Sequence, residues 1–422
     1  MKVGRRKGEC LLAGKTVAGI PALILENDYI FLTLIPEAGG KIQELIFKPT
    51  GNDFAWHSPV TPLRIPEYGS EFAPYDSGGF DEMLPTVGEC DWRGARLPDH
   101  GEAWQLPARV TEEVSEPERV GVKTEWILKA SPFLMERTIS LSGGESRVRF
   151  DYRIKNQGHK PWEFIWALHA SVAPGGKVRK GTRLFLPRAT RLNVWWSKDE
   201  RLGRQGNWLN WPKELDKREK KVDLSTLEGE AGFAEKLFTE ELKEGWVAAL
   251  EPETREAIGF SFSPEELPYA GIWLNQGGWR GYCQLGLEAT STMGDNLEQA
   301  VKKYQKRYAR LNPGQSASFG LWVSLGQGMD SIGSITPAGT FIEPGLKLKA
   351  GYIKGALVAP FRGTLEIIEQ SQPDDILFRE FLIPYKKCEI SLLGSTRKNY
   401  SIILKHWQGD LVDSISLKQA QR

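Results

Sequence analysis

Apolar residues recur at a period of two over most of the chain, which is the spacing of half-buried β-strands. Tyr29, Ile30, Phe31, Leu32, Leu34 and Ile35 make one apolar run. Pro36-Glu37-Ala38-Gly39-Gly40 turns it back, and Ile42, Leu45, Ile46 and Phe47 continue beyond. Three more strands are predicted between residues 119 and 156, around Val120, Val122 and Trp126, then Phe133 to Leu141, then Val148 to Ile154. Pro161 to Ala170 is another apolar strand, ending in His169. From Pro268 the chain gives a strand at Ile272, Trp273 and Leu274, a break at Gly277-Gly278, and a second strand through Tyr282, Leu285 and Leu287. Here the period changes. Leu297, Val301, Tyr304, Tyr308 and Leu311 stand at helical intervals, Asp295 is placed to cap that helix with Glu298 three residues on, and Asn312-Pro313-Gly314 ends it.

The texture changes again after Leu325. Gly326 to Gly339 is rich in glycine and serine and reads as a linker. Residues 340–422 alternate short strands and turns, as a small β-sandwich does. The expected organisation is therefore mainly β, with a large domain over 1–330 and an accessory β domain over 331–422. The accessory domain is a candidate homodimer contact, or an extension of the substrate surface.

A chain of 422 residues is long enough for a large core. A formal charge of +1 offers nothing to nucleic acid or to an anionic membrane. No apolar run reaches the length of a membrane span. Lys15 interrupts the N-terminal apolar stretch, so no signal peptide is expected. Cys10, Cys90, Cys283 and Cys388 are scattered without metal-like spacing. A reduced, cytoplasmic protein without zinc or disulfides is expected.

The chemistry gathers in three places. Glu288 ends the second strand of the 268–313 stretch, with Trp273, Gln276 and Trp279 close in sequence. A carboxylate beside indoles suits a sugar, which offers hydroxyls to the first and CH faces to the second. A Glu capping a turn or pairing with Arg280 is the plainer alternative. Residues 76–109 hold Gly78-Gly79, Asp81, Glu82, His100 and Trp104 among turn-forming residues, and loops on a β scaffold commonly carry sites. His169 closes its strand, a position where a histidine more often packs or caps. Trp195, Trp196, Trp208 and Trp211 precede a lysine-rich run from Lys213 to Lys221, read as a solvated loop or short helix.

In these places the chain resembles the aldose 1-epimerases, the galactose mutarotase-like proteins. The carriers are Gly286-Leu287-Glu288, Asp295-Asn296-Leu297, Leu311-Asn312-Pro313-Gly314, His100-Gly101 before Trp104, Glu136-Arg137-Thr138, and Trp166-Ala167-Leu168-His169. The resemblance extends in patches over roughly residues 20 to 325. It implies a β-supersandwich and a cofactor-free enzyme in which Glu288 is the catalytic base and His169 the general acid. It further implies that His100 binds the sugar and steadies charge, with Asp81, Glu82, Trp104, Trp273, Gln276 and Trp279 as substrate contacts. Asp223 is a candidate for a hydroxyl-binding Asp of that family. The implied partner is a monosaccharide or a sugar phosphate. One departure bears on the substrate. Gly79-Phe80-Asp81-Glu82-Met83-Leu84-Pro85 replaces an Arg- and Asn-bearing motif, so the sugar and its phosphorylation stay open, with Arg93 and Arg96 as candidate phosphate ligands. A sugar-binding or regulatory protein without turnover is the main alternative. A polysaccharide lyase or glycosidase module is a third.

Overall fold

The computed structural model describes residues 8–303 and 308–417. Two large antiparallel sheets carry the first three quarters of the chain. The eight-stranded sheet runs in the order Arg183–Phe185, Trp246–Glu251, Glu256–Phe262, Ser316–Gln327, Arg147–Asn156, Phe133–Ser142, Arg119–Ile127, Arg109–Glu116. Strand Arg147–Asn156 shows why these residues form it. Val148, Phe150, Tyr152 and Ile154 are buried and alternate with the more exposed Arg149, Asp151 and Arg153. The inward set faces Val323, Leu321 and Phe319 across the pairing with Ser316–Gln327.

The twelve-stranded sheet holds the site. Its central strands run in the order Phe80–Met83, Ala167–Val172, Cys283–Thr290, Tyr269–Gln276, Phe233–Thr239, Arg191–Ser197. All six residues of Ala167–Val172 are buried, so the period-two pattern is hidden in its exposure. It survives in what each side chain meets. Leu168, Ala170 and Val172 join the main core between the sheets. Ala167, His169 and Ser171 point the other way. This mainly β, galactose mutarotase-like sandwich is the fold that the resemblance implies.

Glu82 ties the two sheets together. It is fully buried and accepts bonds from Arg137 Nη1 at 2.8 Å, Tyr152 Oη at 2.8 Å and Trp166 Nε1 at 3.1 Å. Burial pushes its carboxyl above the usual range, against the pull of the Arg137 guanidinium.

Among the described residues the one α-helix spans Leu297–Lys303, and it does not reach Leu311 as the sequence pattern predicts. Tyr304 lies outside the described residues. Ala309–Leu311 is a strand paired with Trp162–Phe164, not the end of a helix. Asn296 takes the capping role expected of Asp295: its Oδ1 accepts the backbone N–H of Gln299 at 3.0 Å. Lys213–Leu215 and Lys221–Asp223 pair as a small hairpin where a loop or helix is expected.

Beyond Gln327 the chain builds a five-stranded and a four-stranded sheet. They enclose a core of their own around Ile353, Leu357, Phe361, Leu365, Ile367, Ile402 and Leu404. The predicted linker is more structured than its composition suggests. Met329, Ile332, Ile335, Phe341 and Val358 pack on Phe185, Trp246, Ala248 and Ala257 of the eight-stranded sheet. Among the described residues no helix is long and apolar enough to cross a membrane.

Candidate active site

A row of side chains crosses the outer face of the twelve-stranded sheet. Pairing sets His169 opposite Asp81, and the register from Ala167↔Thr290 to Ala170↔Leu287 brings His169 beside Glu288. Glu288 in turn lies opposite Gly271, and Gly271 opposite Phe238. His169 Nε2 is 3.6 Å from Glu288 Oε1. Gly271 leaves the row open at one point, and the Glu288 carboxylate fills the gap. A Cβ on residue 271 would stand 2.5 Å from Glu288 Oε2.

Across that gap the carboxylate meets Lys236, on the next strand. Lys236 Nζ lies 2.6 Å from Oε1 and also contacts Oε2. It is also 3.5 Å from Asp295 Oδ1. One ammonium therefore serves two carboxylates, and their environments separate them. Burial pushes Glu288 up, but the charges of Lys236 and His169 outweigh it and hold the carboxyl below its usual range. Burial, with the Glu288 charge adding to it, pushes Asp295 up to about 6 despite Lys236.

The two histidines are also driven apart. Burial lowers the pKa of His169, and the Glu288 carboxylate only partly offsets this. Burial opposes protonation of His100 too, but its hydrogen bond to Asp99 Oδ1 (Nδ1 at 2.8 Å) and the charge of that carboxylate raise its pKa overall. His100 stacks on Phe72 at 4.1 Å between centroids and meets the His169 ring edge-on at 5.8 Å.

These groups lie in and under a cavity of about 360 Å³. Asp76, His100, His169, Lys236, Gln284 and Asp295 supply its polar atoms, and Phe72, Val87, Trp195, Trp196, Trp273 and Trp279 its apolar lining. Gln284 is held from three sides: Trp273 Nε1 donates to its Oε1 at 3.0 Å, and its Nε2 donates to Asp76 Oδ2 at 3.1 Å and Ser171 Oγ at 3.0 Å. A few polar groups fixed within an apolar hollow are what a small-molecule site needs. Among the described residues no group of three or more His, Cys, Asp or Glu stands together as metal ligands.

The structure thus brings His100, His169, Trp273 and Trp279 to one cavity, with Glu288 beneath it against His169 and Lys236. Four other expected substrate contacts stand elsewhere. Glu82 points into the core between the sheets, because it alternates with Asp81 along one strand. Asp81 shares the His169 side but is buried and spent on Lys41, whose Nζ also donates to Gly78 O at 2.7 Å. Trp104 is buried under Phe72, its Nε1 bonded to Asp99 O at 2.9 Å, so it supports His100 from behind. Gln276 accepts the backbone N–H of Glu228 away from the cavity. Asp223 is exposed on the small hairpin. Arg93 is engaged by Glu163, and Arg96 by Glu89 and Asp91.

Lys236, Asp76, Gln284 and Asp295 escape sequence reasoning. Lys236 sits in the run Phe233–Thr239, where a lysine looks like the solvent face of a strand. Asp295 looks like a helix cap.

Solved structures share this fold. A protein of Synechocystis sp. PCC 6803 aligns over 73% of this chain and 96% of its own, with a TM-score of 0.53 and 19% identity. A galactose mutarotase-like protein from Clostridium acetobutylicum aligns over 76% and 99%, with a TM-score of 0.53 and 10% identity. A galactose mutarotase related enzyme from Lactobacillus acidophilus aligns over 72% and 97%, with a TM-score of 0.51 and 16% identity. At these identities the likeness concerns the fold. Over residues 18–325, which contain the whole candidate site, the sequence matches the family described as "Domain of unknown function (DUF4432)", and the chain belongs to that family.

Proposed function

We propose that the protein is an aldose 1-epimerase-like isomerase, interconverting the anomers of a sugar bound in the Trp-lined cavity. The observation that carries this reading is the His169–Glu288 pair, 3.6 Å apart at the base of that cavity. Glu288, held ionised, takes the proton of the anomeric hydroxyl. His169 in its protonated form gives a proton to the ring oxygen. The C1–O5 bond breaks as the C1 carbonyl forms, the C1–C2 bond rotates, and closure on the other face returns both protons. The two transfers cancel, so this chain's own acid and base complete the cycle. His100, the more basic imidazole, supplies positive charge near the ring oxygen throughout. The fold shared with the galactose mutarotase related enzyme from Lactobacillus acidophilus supports the same class.

Lys236 favours a second reading. Its ammonium already covers both oxygens of Glu288, as in a pair built to hold a ligand without turnover. A carbohydrate-binding or regulatory protein on this fold follows from that. NMR exchange between anomers, over a panel of aldoses, their 6-phosphates and reducing disaccharides, separates the two readings. The enzyme speeds exchange above background for at least one sugar. The binder holds a sugar and speeds none.

A further inference from the structure

Two tryptophans at this cavity are only half covered. Trp196 is 39% exposed and Trp279 43% exposed. Large apolar side chains left partly bare at a cavity mouth are a cost to the free protein, and they mark a surface that something covers. These two are also held in place. Trp196 stacks on Trp273 with centroids 5.9 Å apart and planes at 27°, and it meets Trp279 edge-on at 6.4 Å. Trp279 sits on a turn clamped by Asn275, whose Oδ1 accepts the Trp279 N–H and whose Nδ2 donates to its C=O, each at 2.9 Å. Trp273 is anchored through Nε1 to Gln284. From Trp273 outward, the three indoles form a fixed shelf that starts inside the cavity and continues past its mouth.

The reactive end of the cavity is elsewhere. His169 lies at its floor with Glu288 beneath, whereas Trp196 and Trp279 are the more exposed part of its lining. A single ring seated over His169 covers the floor and the inner indole. The outer indoles are left for a second apolar face. The CH face of another pyranose is such a group, and it binds an indole face without needing a charged partner.

We infer that Trp196 and Trp279 form a second sugar subsite, so that the ligand is a reducing disaccharide or longer saccharide whose reducing-end ring sits over His169 and Glu288. This rests on the reading of the cavity as a sugar site. It names the substrate class of that site as an oligosaccharide reducing end in place of a free monosaccharide.

Calorimetric titration of the full chain tests it. The probes are glucose against maltose, cellobiose and lactose, whose reducing-end ring is glucose, and galactose against β-1,4-galactobiose. At least one disaccharide should bind tenfold or more tightly than its reducing-end monosaccharide, about the worth of one good aromatic contact. Trp196→Ala should erase that advantage, and Trp196→Phe, which keeps a stacking face, should restore most of it. Equal binding of mono- and disaccharides by the wild type overturns the subsite and leaves the sugar site standing. The same follows if Trp196→Ala weakens both classes by one factor. Failure of every sugar to bind overturns the sugar reading, and the subsite with it.

Discussion

Lys236 Nζ lies 2.6 Å from Glu288 Oε1 and reaches Oε2 as well, across the backbone of Gly271. The pair is buried, so each charge depends on the other. Lys236→Met removes the cation and leaves the burial. The Glu288 pKa should then rise above its usual range, because burial is the largest influence on it and acts upward. A base must be ionised to act, so the acid limb of kcat/KM should move to higher pH, by at least about one unit. Lys236→Arg should restore the limb in part. A limb that stays in place in Lys236→Met would show that the lysine does not set the basicity of Glu288.

Gly271→Ala tests the open lane through which that contact is made. The new Cβ would fall 2.5 Å from Glu288 Oε2 and 3.2 Å from Phe238 Cε1. The flexible carboxylate gives way first, losing Lys236 or its line to His169. Anomer exchange should drop by roughly a hundredfold, the cost of misplacing a reacting group by about an ångström. Circular dichroism should show an intact sandwich. Unchanged exchange would mean that the position of the carboxylate over Gly271 is incidental.

The two imidazoles should titrate in a fixed order. His100 is raised by Asp99 and His169 lowered by burial, so His100 keeps its proton to higher pH. NMR titration of the five histidines, assigned by single substitutions, reads this directly. The rate follows from the same directions. Activity needs Glu288 ionised and His169 protonated, and both values lie below their usual ranges. The bell of kcat/KM should therefore centre on the acid side of neutrality, with limbs belonging to the coupled pair. A His169 that titrates above His100 contradicts the assignment of roles.

Reading the sequence gives the strands well where one face is buried and the other wet, as in Arg147–Asn156 with its Val148, Phe150, Tyr152, Ile154 set. It fails where both faces are covered. In Phe233–Thr239 the polar pattern of Glu235 and Lys236 suggests solvent, yet both are buried, Glu235 against Arg201 and Lys236 against Glu288. The period of a strand also bears on Asp81 and Glu82. Adjacent residues face opposite ways, so both cannot line one cavity, and the structure puts Glu82 in the core with Arg137. The Asp295 pattern had a local explanation as a cap, which hid a long-range partner 59 positions back in the chain, Lys236. The helix ran too far on paper because Tyr308 and Leu311 keep the helical spacing, whereas Ala309–Leu311 takes its hydrogen bonds from Trp162–Phe164.

The division at residue 330 is a proposal with a clear consequence. Cutting there removes Ile332, Ile335, Phe341 and Val358 from the faces of Phe185, Trp246, Ala248 and Ala257. The bared patch sits on an outer face of the eight-stranded sheet, and such a patch promotes association. Residues 1–330 alone should elute as aggregates in size-exclusion chromatography and be cut readily by protease. Replacing Trp246 and Phe185 by polar residues in that fragment should improve its solubility. A monomeric, protease-resistant 1–330 would show that the C-terminal sheets dock without contributing to the stability of the sandwich.

The central claim is that Glu288 moves a sugar proton, and Glu288→Gln tests it most directly. The amide keeps the shape and most hydrogen bonds but takes no proton. Anomer exchange is followed by NMR for wild type and variant, with background mutarotation subtracted, alongside calorimetric binding of the same sugar. The account predicts exchange in the wild type, its loss to background in Glu288→Gln, and binding retained in both. Exchange that persists in Glu288→Gln, or a wild type that binds a sugar and accelerates exchange for none of the panel, would contradict it.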